Sequence, residues 1–148
     1  MHNHAEFLTY LQAHFAKVPF FQFLGAQVIR VARGEADVQI RMRPEFANTY
    51  GISHGGVVAA LVDMATGVAL RTMQIRLVTI ETSTNYFEKV ALDAELTAYA
   101  RVVYQGKRIA NGAVEVRNAD GVHRFAVLLD RFAWSTGRGR ENHILYHR

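Results

Sequence analysis

One run of the sequence, residues 55–70 (GGVVAALVDMATGVAL), carries a single charged side chain, Asp63, among small and apolar residues. The run predicts a helix that is apolar on nearly all sides, and such a helix is stable only when most of its surface is buried. Other elements of the chain must therefore surround residues 55–70. The position of Asp63 also needs an explanation, because burying an uncompensated carboxylate carries a large free-energy cost.

The segments on either side of this run suggest what surrounds it. Residues 4–16 have helical spacing of apolar residues and end near Pro19. Two alternating segments then meet at Arg33-Gly34, as in a β-hairpin. After the run come four β-like segments, at residues 76–90, 95–106, 107–118 and 122–135. This order favours an α+β fold in which one antiparallel sheet wraps around one long buried helix.

Composition excludes several classes of protein. The chain has 148 residues and no cysteine, so it can form a sizeable core but neither a disulfide nor a thiolate site. No segment has the features of a secretory signal or is long and apolar enough to span a bilayer, so we expect a cytoplasmic location. The histidines lack the spacing and neighbours of a metal site, and we predict no metal.

The net charge of +4 suits a solvated basic surface, a phosphate-bearing ligand or nucleic acid. The first of these is the simplest interpretation. Aromatic residues cluster at residues 20–23, 86–87 and 132–134. We expect most of them to pack in the core, with an acyl pocket or stacking on an adenine as the alternative. Phe20, Phe21 and Phe23 are too crowded for all three to point inward.

The sequence His54-Gly55-Gly56 stands where the apolar helix is expected to begin. The first backbone N–H groups of a helix have no partner within it, and the helix dipole adds positive charge at that end. Glycines also let a ligand approach the backbone closely. This helix end suits a carbonyl oxygen that becomes an oxyanion in acyl transfer. A Gly-Gly pair before a helix is, by itself, more often a plain turn.

Asp63 lies eight residues after Gly55, which corresponds to about 12 Å along a helix. One carbonyl group cannot contact both residues. If both serve one reaction, Asp63 must come from a second copy of the chain. A two-fold dimer with antiparallel helices would place each Asp63 near the partner's His54-Gly55-Gly56 end. The alternative is that Asp63 only hydrogen-bonds locally, although its helical neighbours leave no obvious polar stripe.

Together these residues form the pattern N-x-x-G-x-x-H-G-G-x6-D. Its members are Asn48, Gly51, His54, Gly55, Gly56 and Asp63. The pattern resembles the hotdog-fold thioesterases, most closely the phenylacetate-pathway (PaaI-like) branch of acyl-CoA thioesterases. The segment 79–87 and the turn 105–107 are supporting matches, and the resemblance spans roughly residues 20–133.

The resemblance implies a hotdog domain over residues 1–135, with about six antiparallel strands around the helix, followed by a basic tail at residues 136–148. It implies homodimers that pair into tetramers in many members. The expected substrate is an acyl group on coenzyme A, with no other cofactor. Neither the acyl group nor the pathway can be read from the sequence.

The resemblance also assigns roles at the site. Asp63 would be the catalytic nucleophile or the base that activates water, and the Gly55 N–H would polarise the thioester carbonyl. Asn48 and His54 would position the thioester or the water, with Gly56 beside the substrate.

A hydroxyl group from the strand after the helix often assists in this family, and Thr79 is the nearest candidate, followed by Ser83. Coenzyme A carries several phosphates, so Lys107 and Arg108 in the turn after Gln105 are candidates to bind them. A solvated turn is the alternative for these two residues.

Three other functions compete with this prediction. A hotdog dehydratase or hydratase would use a differently spaced motif with a catalytic histidine. A non-catalytic acyl-CoA binding or sensing protein would usually carry an attached DNA-binding segment. A nucleic-acid binder would show steep salt dependence.

Overall fold

Nine main helices and strands follow one another in the computed structural model, which describes residues 3–119 and the backbone of residues 124–134. A 3-10 turn, Pro44–Phe46, lies in the loop before the third helix. The elements are α1 (His4–Phe15), α2 (Pro19–Leu24), β1 (Gln27–Ala32), β2 (Glu35–Arg41), α3 (Gly55–Arg71), β3 (Leu77–Tyr86), β4 (Glu95–Gln105), β5 (Ile109–Asn118) and β6 (Arg124–Trp134). The predicted tail at residues 136–148 and the side chains of residues 132–134 lie outside the described residues.

The strands form one antiparallel sheet in the order β1-β2-β4-β5-β6-β3. Helix α3 packs against β2, β4 and β5 on the inner face of this sheet. The predicted α+β class, with an antiparallel sheet wrapped around one long helix, is confirmed. β1 and β3 are the two edge strands.

Helix α3 begins at Gly55, where the sequence predicted it, and most of its surface is buried. Seven of its residues have no exposed surface, namely Leu61, Val62, Ala65, Thr66, Val68, Ala69 and Leu70. Ala59, Ala60, Asp63 and Gly67 are only partly buried. The apolar run is therefore covered by the sheet on most sides, and Asp63 belongs to the side that the chain leaves partly open.

The hairpin predicted at Arg33-Gly34 is present between β1 and β2. Gly34 has a φ angle of +75°, a left-handed conformation that favours glycine. Its N–H donates a 2.7 Å hydrogen bond to the Thr72 hydroxyl, just after the end of α3. This contact ties the hairpin to the C-terminal end of the helix.

The N-terminal segment contains a helix that the sequence did not predict. α1 ends as expected, but Pro19–Leu24 forms the short helix α2 before the chain enters β1. Pro19 occupies the first turn, where its missing N–H costs nothing, and Gly25 ends the helix with a φ angle of +67°. Six residues are too few to show a helical period.

The aromatic clusters divide between core and surface. Phe21 is buried, whereas Phe20 and Phe23 are at least half exposed, which confirms that the three cannot all point inward. Tyr86 and Phe87 are also at least half exposed. The prediction of core packing is therefore wrong for these two and for Phe20 and Phe23.

Strand β5 approaches α3 closely at Gly112. A Cβ atom added to Gly112 would lie 2.3 Å from the Cγ2 atom of Thr66. Real side chains do not tolerate such a distance, so the absence of a side chain at residue 112 lets the strand and the helix meet.

Replacing Gly112 with alanine should destabilise the fold. We expect Gly112→Ala to lower the free energy of unfolding by about 1–3 kcal/mol, because the new methyl group overlaps Thr66. Urea denaturation measures the change. Thr66→Ser removes the overlapping Cγ2 atom and keeps the hydroxyl that donates to the Val62 carbonyl. The double variant should therefore regain part of the loss, and equal stability of the single and double variants would contradict this account.

Candidate active site

The N-terminal end of α3 is capped by the side chain of His54. His54 has extended backbone angles, and its Nδ1 atom accepts a 2.8 Å hydrogen bond from the Gly56 N–H. A Cβ atom on Gly56 would lie 3.0 Å from that Nδ1 atom. Glycine at residue 56 thus leaves room for the cap, and the Gly56 N–H is already occupied by His54 rather than open to a substrate.

The Gly55 N–H is the open donor in this first turn. The Val57 N–H donates to the His54 carbonyl at 3.0 Å, and the Gly56 N–H donates to the His54 ring. Among the described residues we find no acceptor for the Gly55 N–H. Of the described backbone N–H groups of His54-Gly55-Gly56 and Val57, the Gly55 N–H is therefore the one left without an acceptor within the first turn, and the helix dipole adds there the partial positive charge that an oxyanion requires.

A cavity of about 350 Å³ lies beside this helix end. Asn48, Gly55, Tyr86 and Lys89 are among the residues that line it. The Oδ1 atom of Asn48 accepts hydrogen bonds from two backbone N–H groups of its own loop, at 2.8 and 3.3 Å. These two hydrogen bonds fix the conformation of the loop. The two N–H donors of the Asn48 side-chain amide are not used in them. The cavity therefore has several hydrogen-bond donors around the open N–H.

Tyr86, the last residue of β3, covers one side of the helix end. Its hydroxyl donates a 3.0 Å hydrogen bond to the Gly55 carbonyl. A Cβ atom on Gly55 would lie 3.5 Å from the Tyr86 ring, an ordinary contact distance. Packing within the chain thus does not require glycine at residue 55, in contrast to residue 112.

Asp63 is hydrogen-bonded to the strand after the helix. The Thr79 hydroxyl donates to the Oδ1 atom of Asp63 at 2.7 Å. Sequence reasoning named both residues, and the structure brings them together. The second carboxylate oxygen of Asp63 makes no hydrogen bond that the structure describes, so it can accept a proton or attack a carbonyl carbon.

A β-bulge decides which residues of β3 face the helix. Thr79 and Tyr86 both contact α3 although they are seven residues apart, an odd separation that would place them on opposite faces of a regular strand. The register with β6 shifts between Thr79 and Glu81, so Ile80 is an extra residue.

The bulge also places Ser83 on the opposite face of the sheet from Tyr86, because the two are three residues apart beyond it. Ser83 was the second predicted hydroxyl beside Asp63. The structure does not bring the two together within the chain, and no sequence pattern marks the extra residue that changes the alternation.

The predicted site residues form two groups within one chain. Asn48, His54, Gly55 and Gly56 lie at the N-terminal end of α3, and Asp63 with Thr79 lies two turns farther along. Lys107 and Arg108 are exposed in the turn between β4 and β5. That turn is at the opposite end of α3, since neighbouring Ala110 packs against Leu70 and Ile75.

Sequence reasoning missed Tyr86 and Lys89 as residues of the site. Core packing was expected of Tyr86, with an acyl pocket or stacking on an adenine as the alternative, and the face of β3 on which it lies relative to Thr79 depends on the bulge. Lys89 follows β3 and lines the cavity at the helix end. No sequence signal relates either residue to Gly55, because the contacts join segments about 30 residues apart.

Across residues 3–119, no three His, Cys, Asp or Glu side chains come together in a way that could hold a metal ion. No helix in the described part of the chain is long and apolar enough to cross a membrane.

Comparison with known proteins gives a family match. Residues 50–123 match the model of the thioesterase superfamily. The chain is also 32% identical over 105 residues to a Sulfurisphaera tokodaii protein that is named as a candidate esterase, covering 68% of this chain and 74% of that one. Human acyl-coenzyme A thioesterase 13 is 27% identical over 93 residues, covering 62% of this chain and 66% of the human protein.

A solved structure shows the same fold. It is an Asn-to-Asp variant of the phenylacetic acid degradation protein PaaI from Thermus thermophilus. The TM-score is 0.74 at 30% sequence identity, and the alignment covers 79% of this chain and 99% of that one.

The cap at His54 can be tested by stability. His54→Ala should lower the free energy of unfolding by about 1 kcal/mol, because the Gly56 N–H loses its acceptor. His54→Asn keeps a side-chain acceptor of the type preferred at this position and should lose less. Chemical denaturation of both variants measures the difference, and equal losses would contradict the capping role.

Proposed function

The chain belongs to the thioesterase superfamily and is a thioester hydrolase, and we propose that it hydrolyses acyl thioesters of coenzyme A at a site formed by two copies of the chain. In this proposal Asp63 of one copy acts with the Gly55 N–H of the other. The proposal rests on one observation: the two halves of the site are each preformed within the chain but lie at different levels of α3.

A two-fold axis would join the halves. The Asp63–Thr79 contact and the Gly55–Tyr86 contact mark two levels at which α3 and β3 touch. On α3 the midpoint between the levels is Ala59, and on β3 it lies between Thr82 and Ser83. A single two-fold axis at that height would place each Asp63 level with the partner's Gly55, about 12 Å from its own.

The edge strand supplies a surface for this pairing. β3 is the last strand of the sheet, and eight of its ten residues are exposed. Val78 is 61% exposed and Ile80 is 51% exposed. An unpaired edge strand that carries exposed apolar side chains favours pairing with another strand. Antiparallel pairing of two β3 strands would extend the sheet across the dimer and align the two α3 helices.

The chemistry follows from the groups that would meet. Water, activated by Asp63, or the Asp63 carboxylate itself attacks the thioester carbonyl carbon, and the carbonyl oxygen becomes an oxyanion beside the partner's Gly55 N–H. The carbon–sulfur bond then breaks, and coenzyme A leaves as a thiolate. If water attacked, the free acid forms directly and the thiolate takes up the proton that Asp63 removed from the water. If the carboxylate attacked, the acyl group is left on Asp63 as an anhydride, which water hydrolyses to the free acid and the restored carboxylate, and the thiolate takes its proton from solvent. The Thr79 hydroxyl holds one oxygen of Asp63, so the other is directed at the substrate.

The roles of Asn48, Lys107 and Arg108 extend this proposal. The free amide donors of Asn48 would position the thioester or the water at the cavity. Lys107 and Arg108 lie at the C-terminal end of α3, and in the antiparallel dimer that end is on the same side as the partner's helix N-terminus. Their charges would bind the phosphates of coenzyme A. The acyl-coenzyme A thioesterase among the relatives supports this class of substrate.

Loss of the carboxylate should abolish turnover. We expect Asp63→Asn to reduce kcat by several orders of magnitude while the fold and substrate affinity are retained, because an amide cannot activate water or attack the carbonyl. Thiol release from short, long, branched and aryl acyl-CoAs measures turnover in both proteins. Near-normal release by the variant would remove Asp63 from the mechanism, and silence of the wild type across the panel would contradict thioesterase activity on coenzyme A.

Mixing two inactive variants should restore activity if the site is shared. Gly55→Pro removes only the proposed donor, because proline is favoured at the first position of a helix and His54 already has the extended conformation that must precede it. After subunit exchange with Asp63→Asn, half of the dimers are mixed and each has one intact site. We expect about a quarter of wild-type activity in an equimolar mixture.

The matched control combines two residues from the same half of the site. Asp63→Asn mixed with Thr79→Val leaves no intact Asp63–Thr79 pair beside a partner's Gly55 in the mixed dimers, so activity should not rise above the average of the two variants measured alone. Exchange is verified with differently labelled subunits. Lack of rescue by Gly55→Pro, or equal rescue in both mixtures, would contradict a site shared between chains.

A further inference from the structure

The peptide group between Gly55 and Gly56 is held at both of its ends. Its carbonyl accepts the hydrogen bond from the Tyr86 hydroxyl at 3.0 Å. Its N–H donates to the His54 Nδ1 atom at 2.8 Å. One side chain from β3 and one from the cap therefore fix the orientation of the same peptide plane.

This plane borders the donor that the proposed reaction uses. The Gly55 N–H belongs to the preceding peptide group, and the two groups share the Cα atom of Gly55. Glycine has the widest range of backbone angles, and the first turn of a helix lacks the hydrogen bonds that restrain its interior. Without added restraints, two consecutive glycines would let the Gly55 N–H vary in direction.

We propose that Tyr86 is a positioning residue: its hydroxyl fixes the Gly55–Gly56 peptide so that the Gly55 N–H stays directed at the substrate carbonyl. This inference rests on the proposed function. Tyr86 acts through the backbone of Gly55 and need not touch the reacting atoms. A preorganised donor stabilises a developing oxyanion more than one that must reorient during the reaction.

The position of Tyr86 suits this role. The bulge at Ile80 turns Tyr86 toward α3, and its ring is in ordinary contact distance of Gly55. The contribution of the Tyr86 ring can therefore be measured separately from that of its hydroxyl. Tyr86→Phe keeps the ring and removes only the hydrogen bond to the Gly55 carbonyl.

The first measurement uses the unliganded full chain. In Tyr86→Phe, the carbonyl carbon of Gly55 should change its NMR chemical shift because it loses one hydrogen bond, while the thermal melting curve shows the variant folded. An unchanged shift would mean that the hydroxyl does not hold this peptide group, and it would overturn the proposal without reference to catalysis.

The second measurement is steady-state kinetics on the best acyl-CoA substrate. We expect Tyr86→Phe to lower kcat about 3- to 10-fold with KM unchanged, as for one hydrogen bond that acts on the transition state. Tyr99→Phe is the matched control, because Tyr99 lies on β4 and its ring packs beneath Arg117. It should retain wild-type kcat.

A double variant separates positioning from general structural support. In Gly55→Pro the N–H is absent, so adding Tyr86→Phe should not reduce the residual kcat further. Equal, additive losses in the two backgrounds would overturn the proposal, as would a raised KM at unchanged kcat, which would make Tyr86 a binding residue. A wild type without thioesterase activity would instead refute the proposed function and this role with it, whatever the NMR result.

Discussion

The sheet must pack closely against helix α3 to bury its apolar surface. This close packing limits the size of the side chains that can lie between the sheet and the helix. At Gly112 the strand and the helix approach so closely that a methyl group would overlap Thr66. Just after the C-terminal end of α3, the Thr72 hydroxyl accepts a hydrogen bond from the Gly34 N–H, which holds the β1–β2 hairpin against the helix. With the sheet fixed on these sides, one side of α3 stays partly open, and that side carries Asp63.

The bulge at Ile80 allows two side chains of β3 to contact α3 beside its partly open side. A regular strand would present either Thr79 or Tyr86 to the helix, but not both. One extra residue lets β3 contact α3 at two levels, where Thr79 holds Asp63 and Tyr86 holds the first turn at Gly55. A local irregularity in one edge strand thus supports both halves of the site.

Prediction from the sequence worked best where a local pattern of residues has a single physical explanation. The apolar run and the helix start after His54 were found by such reasoning, whereas Thr79 was named as a partner of Asp63 only through the family resemblance. The short helix α2 was missed because six residues show no period. Ser83 was misplaced because a bulge leaves no mark in composition, and the exposure of Tyr86 depends on which strand occupies the edge of the sheet.

The placement of the carboxylate also becomes understandable in energetic terms. In one chain Asp63 is partly exposed and hydrogen-bonded, so it avoids most of the cost of burying a charge. Closing the proposed dimer would remove water from it, but the partner's helix end would supply positive charge at the same place. Burial of the exposed Val78 and Ile80 would favour that closure. The Asp63 carboxylate would therefore lose its contact with water only when it comes next to the partner's positively charged helix N-terminus, the group with which it acts in the proposed reaction.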